Sequence, residues 1–210
     1  SYNEKINPFS IEDIASRIHQ HLIGQFSLKE YILIGHSLGG YIALAMAEKF
    51  SKNIKGFGLI NSTSFKDSPE KIENRTKTAE FIEKHGAQFF LRNFVPNLFM
   101  EENRLALEPE IAFVENMGLD VSSSTLVNYM HAMKMRPARD YLLNQYEHVL
   151  FIGGENDLQF SLEIQQKQLN VLRNKEFSKI MGNVAHMTMY EAPDQLQKLV
   201  YNFLKSIITP

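Results

Sequence analysis

Three side chains able to perform acyl transfer stand along the chain in the order Ser37, Asp157, His186. A serine hydroxyl is a weak nucleophile near neutral pH. It needs a base to take its proton, and the base needs an acid to fix its tautomer and orientation. Ser37 lies in Gly35-His36-Ser37-Leu38-Gly39, which fits G-x-S-x-G, the sharp strand-to-helix turn that lifts a serine above a sheet. Small neighbours leave room for the strained backbone of such a turn. A helix starting behind the serine aims its free N–H groups and positive dipole end at the same point. The Leu38 amide is therefore the candidate oxyanion donor.

Asp157 follows the run FIGGEN, just beyond an apolar strand pattern, where the loops of parallel sheets carry functional groups. Glu155, two residues earlier, is a rival acid, and "END" also suits a plain turn. His186 sits in NVAHMTMYEAPD, between the last strand pattern and the last helix pattern. The order serine, acid, histidine favours it as the base over six other histidines. His36 belongs to the turn itself. His19 and His21 read as solvated positions on the first helix, and His85, His131 and His148 fall in or beside a long helical stretch. His85-Gly86 reads as a helix C-terminus, because Gly86 ends a helical pattern.

The elements that must position these groups can be read from periodicity. Ser10 and Asp13 form a capping-box pattern, with Ile11, Ile14, Ile18 and Leu22 at helical spacing and Gly24 as a stop. The runs 31–34, 56–60 and 149–152 are continuously apolar, as strands covered on both faces are; 177–181 alternates like an edge strand. A helix is expected from Gly39 to Phe50, and Pro193 opens a final helix with one apolar stripe. Strands alternating with helices predict an α/β fold with an open parallel sheet. Residues 66–147 break the alternation with helices only, Ser68 and a serine near 122 being caps. The predicted organisation is a core of 1–65 and 148–210 with a helical cap inserted at 66–147.

GHSLGG at the turn, GEND at the acid, AHMTMYEAP at the histidine and MRPARDYL between them resemble the α/β-hydrolase superfamily, in particular its capped esterase and enol-lactonase-like enzymes. The resemblance covers nearly the whole chain. It implies the triad Ser37, Asp157 and His186 and no metal or cofactor. Such enzymes usually carry several strands and a His-Gly loop ahead of the turn, the loop supplying a second oxyanion donor. Here Ser37 comes early, so the expectation is a remainder of a longer chain or a sheet completed by another chain, including a second copy.

Bulk properties narrow the partners. A formal net charge of −2 over 210 residues gives no basic footprint for nucleic acid, and the absence of cysteine excludes thiol catalysis and disulfides. No apolar run approaches the ~20 residues of a membrane span, and the cytoplasm is the default compartment. The expected activity is serine-dependent hydrolysis of carboxylic esters of small to medium apolar acids, with Phe89, Phe90, Phe94, Phe99, Met100, Met117, Met130, Met133 and Met135 as the residues from which an acyl pocket could be lined. A C–C bond hydrolase, thioesterase or acyltransferase on the same triad is one alternative; a non-catalytic binding or scaffold protein is the other.

Overall fold

The computed structural model describes residues 9–208. Helix α1 (Ile11–Phe26) opens with the expected capping box: Ser10 Oγ accepts from the Asp13 amide, and the Asp13 carboxylate accepts from the Ser10 amide. It runs through Gly24 and ends at Ser27, which takes the left-handed conformation at φ 51°. The glycine stop predicted from sequence is thus corrected: a glycine inside a helix is tolerated at a cost of about 1 kcal/mol.

Strand β1 (Tyr31–His36) leads into α2 (Leu38–Lys49), followed by β2 (Ile54–Ile60). Five helices then run without a strand: α3 (Pro69–His85), α4 (Ala87–Phe94), α5 (Glu108–Met117), α6 (Ser123–Met135) and α7 (Leu142–Gln145). Ser68 caps α3 and Ser122 caps α6, each hydroxyl accepting from an amide three residues on. The chain returns through β3 (Val149–Gly154), α8 (Leu162–Val171), β4 (Ser178–Met181), the single turn α9 (Thr188–Glu191) and α10 (Pro193–Ile208).

Among the described residues the sheet is four-stranded and parallel throughout, in the order β1-β2-β3-β4. Parallel neighbours require crossovers, and helices supply each of them. Side chains alternate between the two faces of the central strands. Phe57, Leu59, Val149 and Phe151 pack with Leu44 and Ala47 of α2 and with Leu142 and Leu143 of α7. Ile60, Leu150 and Ile152 point the other way, onto Leu196 and Phe203 of α10. Burying a side chain of this size is worth roughly 1.5–3 kcal/mol, so the two layers account for the continuous apolar runs.

β1 departs from the reading of its apolar run as a strand covered on both faces. It is only partly covered, with Ile34 38% exposed, because it lies at the sheet edge and no strand pairs beyond it among the described residues. The helical stretch is tied to the rest of the protein by Arg139, whose guanidinium bridges Glu12 of α1 and Glu48 of α2. Among the described residues no helix is long and apolar enough to cross a membrane.

Candidate active site

Each of the four strands ends in a loop at the same edge of the sheet, and each loop delivers one polar residue: Ser37 after β1, Asn61 after β2, Asp157 after β3 and His186 after β4. The carboxyl edge of a parallel sheet is where such loops converge. Ser37 has φ 51° and ψ −115°, a conformation that costs a non-glycine residue on the order of 1–3 kcal/mol. It is held there from both sides. Its amide donates to Ile60 O at 3.0 Å, and its carbonyl accepts from Ser62 Oγ at 2.8 Å and from the Gly40 amide at 3.0 Å.

The turn is tight enough that two of its glycines are obligatory. A Cβ on Gly35 would stand 2.2 Å from Gly39 O, and one on Gly40 would stand 2.3 Å from Ser62 Oγ. Gly39, the second glycine of the motif, has nothing within 4 Å of a Cβ. The motif's spacing therefore marks the turn, while the steric demand falls on Gly35 and Gly40. The Leu38 amide begins α2 and donates to no protein acceptor among the described residues.

His186 and Asp157 are joined: His186 Nδ1 and Asp157 Oδ2 are 2.8 Å apart, with the two residues 3% and 4% exposed. A carboxylate taken out of water must have its lone pairs satisfied by donors. Asp157 Oδ1 accepts from the amides of Gln159 and Phe160, and Oδ2 accepts from Asn61 Nδ2 at 3.1 Å as well as from the histidine. With the acid so held, His186 Nδ1 carries the proton and Nε2 is left as the free lone pair. Ser37 Oγ makes no hydrogen bond to that ring among the described residues; such bonds often tighten only with substrate in place. Glu155, the rival acid, is exposed and has no bond to His186.

Residues that sequence reading did not single out fix the histidine loop. Asn61, 1% exposed and at φ 44°, also donates to Ala185 O at 2.9 Å, while its Oδ1 accepts from Thr188 Oγ1 at 2.5 Å. Glu191 accepts from the Ala185 amide and, through its other oxygen, from the Met100 amide, so the loop is tied to the helical stretch. The His186 amide donates to Leu98 O at 2.9 Å. His36, which the sequence did place in the turn, has Nε2 2.8 Å from His186 O; a carbonyl can only accept, so that nitrogen carries the proton. Burial first, and then electrostatic repulsion from the neighbouring His186, lower the His36 pKa to about 4.

Among the other histidines, His85 is exposed beside Phe81 and Phe89 at the end of α3, as expected. His19 is not solvated as predicted. It is 9% exposed, stacks on Phe50 with ring centroids 3.5 Å apart and bonds Tyr31 Oη through Nδ1. Of the candidate acyl-pocket residues, Met130 and Met133 pack in one cluster with Leu38, Tyr41 and Phe160, beside the site. Phe99 is buried against Met187, whereas Phe89, Met117 and Met135 face solvent.

The sequence pattern of the Ndr family matches residues 3–207. The chain belongs to the Ndr family. This Ndr-family chain has the α/β-hydrolase fold, and it superposes on a thermophilic esterase of Thermogutta terrifontis with a TM-score of 0.85 at 23% identity, covering 97% of this chain and 75% of that one. An enol-lactonase of Burkholderia xenovorans gives 0.79 at 18% identity over 94% of this chain and 74% of that one. In sequence, a Mycoplasma pneumoniae protein named as an esterase/lipase is 24% identical over 94% of this chain and 74% of its own length.

Proposed function

We propose that the chain is a serine-dependent hydrolase of carboxylic esters, with α3–α7 forming a cap over the site. Ser37 Oγ attacks the ester carbonyl while its proton passes to His186 Nε2. The C–Oγ bond forms, and the carbonyl π electrons move onto oxygen, where the Leu38 amide donates to the developing charge. Collapse expels the alkoxide, which takes the proton from His186. Water then attacks the acyl-enzyme by the same route and returns Ser37. Asp157 stays ionised throughout and holds the imidazolium.

The observation that carries this reading is the strained Ser37 at the head of α2 on the same sheet edge as a buried His186–Asp157 pair whose carboxylate is fully satisfied. A protein without chemistry to perform gains nothing from a strained serine on the same sheet edge as a buried histidine–carboxylate pair. Leu38, which follows the serine, shares one apolar cluster with Met130 and Phe160, and such a surface suits an apolar acyl chain. A fluorophosphonate should label one residue, Ser37, and Ser37→Ala should abolish labelling. Turnover of a p-nitrophenyl ester should fall on the order of 10³-fold or more in His186→Ala. Labelling that persists in Ser37→Ala would put the nucleophile elsewhere.

A further inference from the structure

Next to the candidate triad the helical stretch places more positive than negative charge. Asp67, just before α3, accepts from Arg136 at 2.8 Å and from Arg75 at 2.5 Å, so two guanidiniums share one carboxylate. The Arg136 guanidinium lies 3.7 Å from the centre of the Tyr41 ring, and Tyr41 meets Phe160 edge-on. Lys71, in the first turn of α3, places its ammonium 4.3 Å from the centre of the other partner in that contact, Phe160. Phe160 in turn stands beside His186, ring centroids 5.7 Å apart.

Lys71 is half-buried, yet it forms no ion pair among the described residues. Its ammonium donates to Gln159 O, which uses one of three N–H groups. A cation removed from water without a counter-ion is costly unless something else compensates it. Asp67, whose charge acts on Lys71, is already committed to both arginines. The two spacings through Phe160, 4.3 Å and 5.7 Å, keep the Lys71 ammonium within the span of a small acyl chain from the His186 ring.

We propose that Lys71 recognises a carboxylate at the far end of the substrate's acyl chain, so that the substrate class is the monoester of a short dicarboxylic acid. This rests on the hydrolase reading above and sharpens its substrate. The apolar middle of the chain lies along Leu38 and Met130, the reacting carbonyl sits at Ser37, and the free carboxylate takes the two unused N–H groups of Lys71. Burial, then the charge of Arg75, lower the Lys71 pKa to about 8. An anionic ligand is the partner that would keep it protonated.

The test compares mono-p-nitrophenyl glutarate with p-nitrophenyl valerate, which share chain length and leaving group and differ in the terminal carboxylate. The readout is the ratio of the two kcat/KM values in the wild type, Lys71→Met and Lys71→Arg. A charge-assisted hydrogen bond of ordinary strength corresponds to about a 10- to 100-fold fall in that ratio for Lys71→Met, mostly through KM, with recovery in Lys71→Arg. The wild-type ratio should also fall as pH rises through about 8. The charged groups facing Lys71 are Arg75, Arg136, Asp67 and Asp157; Lys71→Arg keeps all four and removes only the lysine's titration, so its ratio should persist at pH 9. Equal ratios in wild type and Lys71→Met overturn the proposal. If the wild type turns over neither ester, the hydrolase reading fails and calorimetry with glutarate decides this one. Binding by Ser37→Ala that disappears in Ser37→Ala/Lys71→Met supports it; binding that is equal in the two, or absent from both, overturns it.

Discussion

His36→Gln isolates a single titration that couples the fold to the candidate catalytic histidine. The His36 ring donates from Nε2 to His186 O at 2.8 Å and lies with its centroid 4.9 Å from the His186 ring. Its pKa falls from the ordinary 6.5 to about 4, chiefly through burial and then through repulsion from the neighbouring His186, while its hydrogen bond and Asp157 oppose the shift. Between those values the unfolded chain binds a proton that the folded chain refuses. Stability is therefore fully present above pH 6.5 and is lost as pH falls towards 4. The whole difference is about 3 kcal/mol, of which about 2 kcal/mol falls between pH 7 and pH 5. Glutamine places an N–H donor at nearly the same reach as Nε2 and does not titrate. Urea unfolding of both proteins at pH 5, 6, 7 and 8, followed by circular dichroism, cancels the carboxylates that they share. The stability of the variant relative to wild type should improve by about 2 kcal/mol from pH 7 to pH 5. Parallel curves, agreeing within about 0.5 kcal/mol, would show that His36 is not held neutral and would refute the argument from its burial.

Two contrasts bear on the serine turn and on the acid. Gly35→Ala should cost about 3 kcal/mol or more, because its Cβ meets backbone that cannot move aside, whereas Gly39→Ala should be neutral or stabilising by about 0.5–1 kcal/mol. Thermal unfolding of the two variants decides this, and equal losses would contradict the turn geometry. Asn61→Asp keeps the side-chain size and a residue type tolerant of positive φ, but replaces the donor facing Asp157 Oδ2 with an acceptor. It should lower kcat on the order of 10²-fold with little change in KM, since two carboxylates would compete for His186. A loss confined to KM would argue that Asn61 contacts substrate instead.

The features that could be read from the sequence are those in which one local pattern has one physical cause. Phe57 to Ile60 and Val149 to Ile152 are apolar without interruption because both faces are covered, by α2 and α7 on one side and α10 on the other. Gly35, Ser37 and Gly40 stand close together because a strand must become a helix there within a single residue. Helix α8 was not anticipated, and its composition explains why. Gln165 and Gln168 look like surface residues, yet they are 3% and 1% exposed and bond the backbone at Gly154, Phe160, Ser62 and Ser64. Asn61 was missed for a related reason. After an apolar run an asparagine reads as a turn, and its partners Asp157 and Ala185 lie 96 and 124 residues further along the chain. A nucleophile or a base must be of a particular residue type, so its chemistry announces it. A residue whose task is to satisfy another buried group can be any of several short polar types, and only the fold says which group it meets. The supporting residues Asn61 and Thr188 are of that second kind, which is why they emerge only once the four loop ends are brought together at one edge of the sheet.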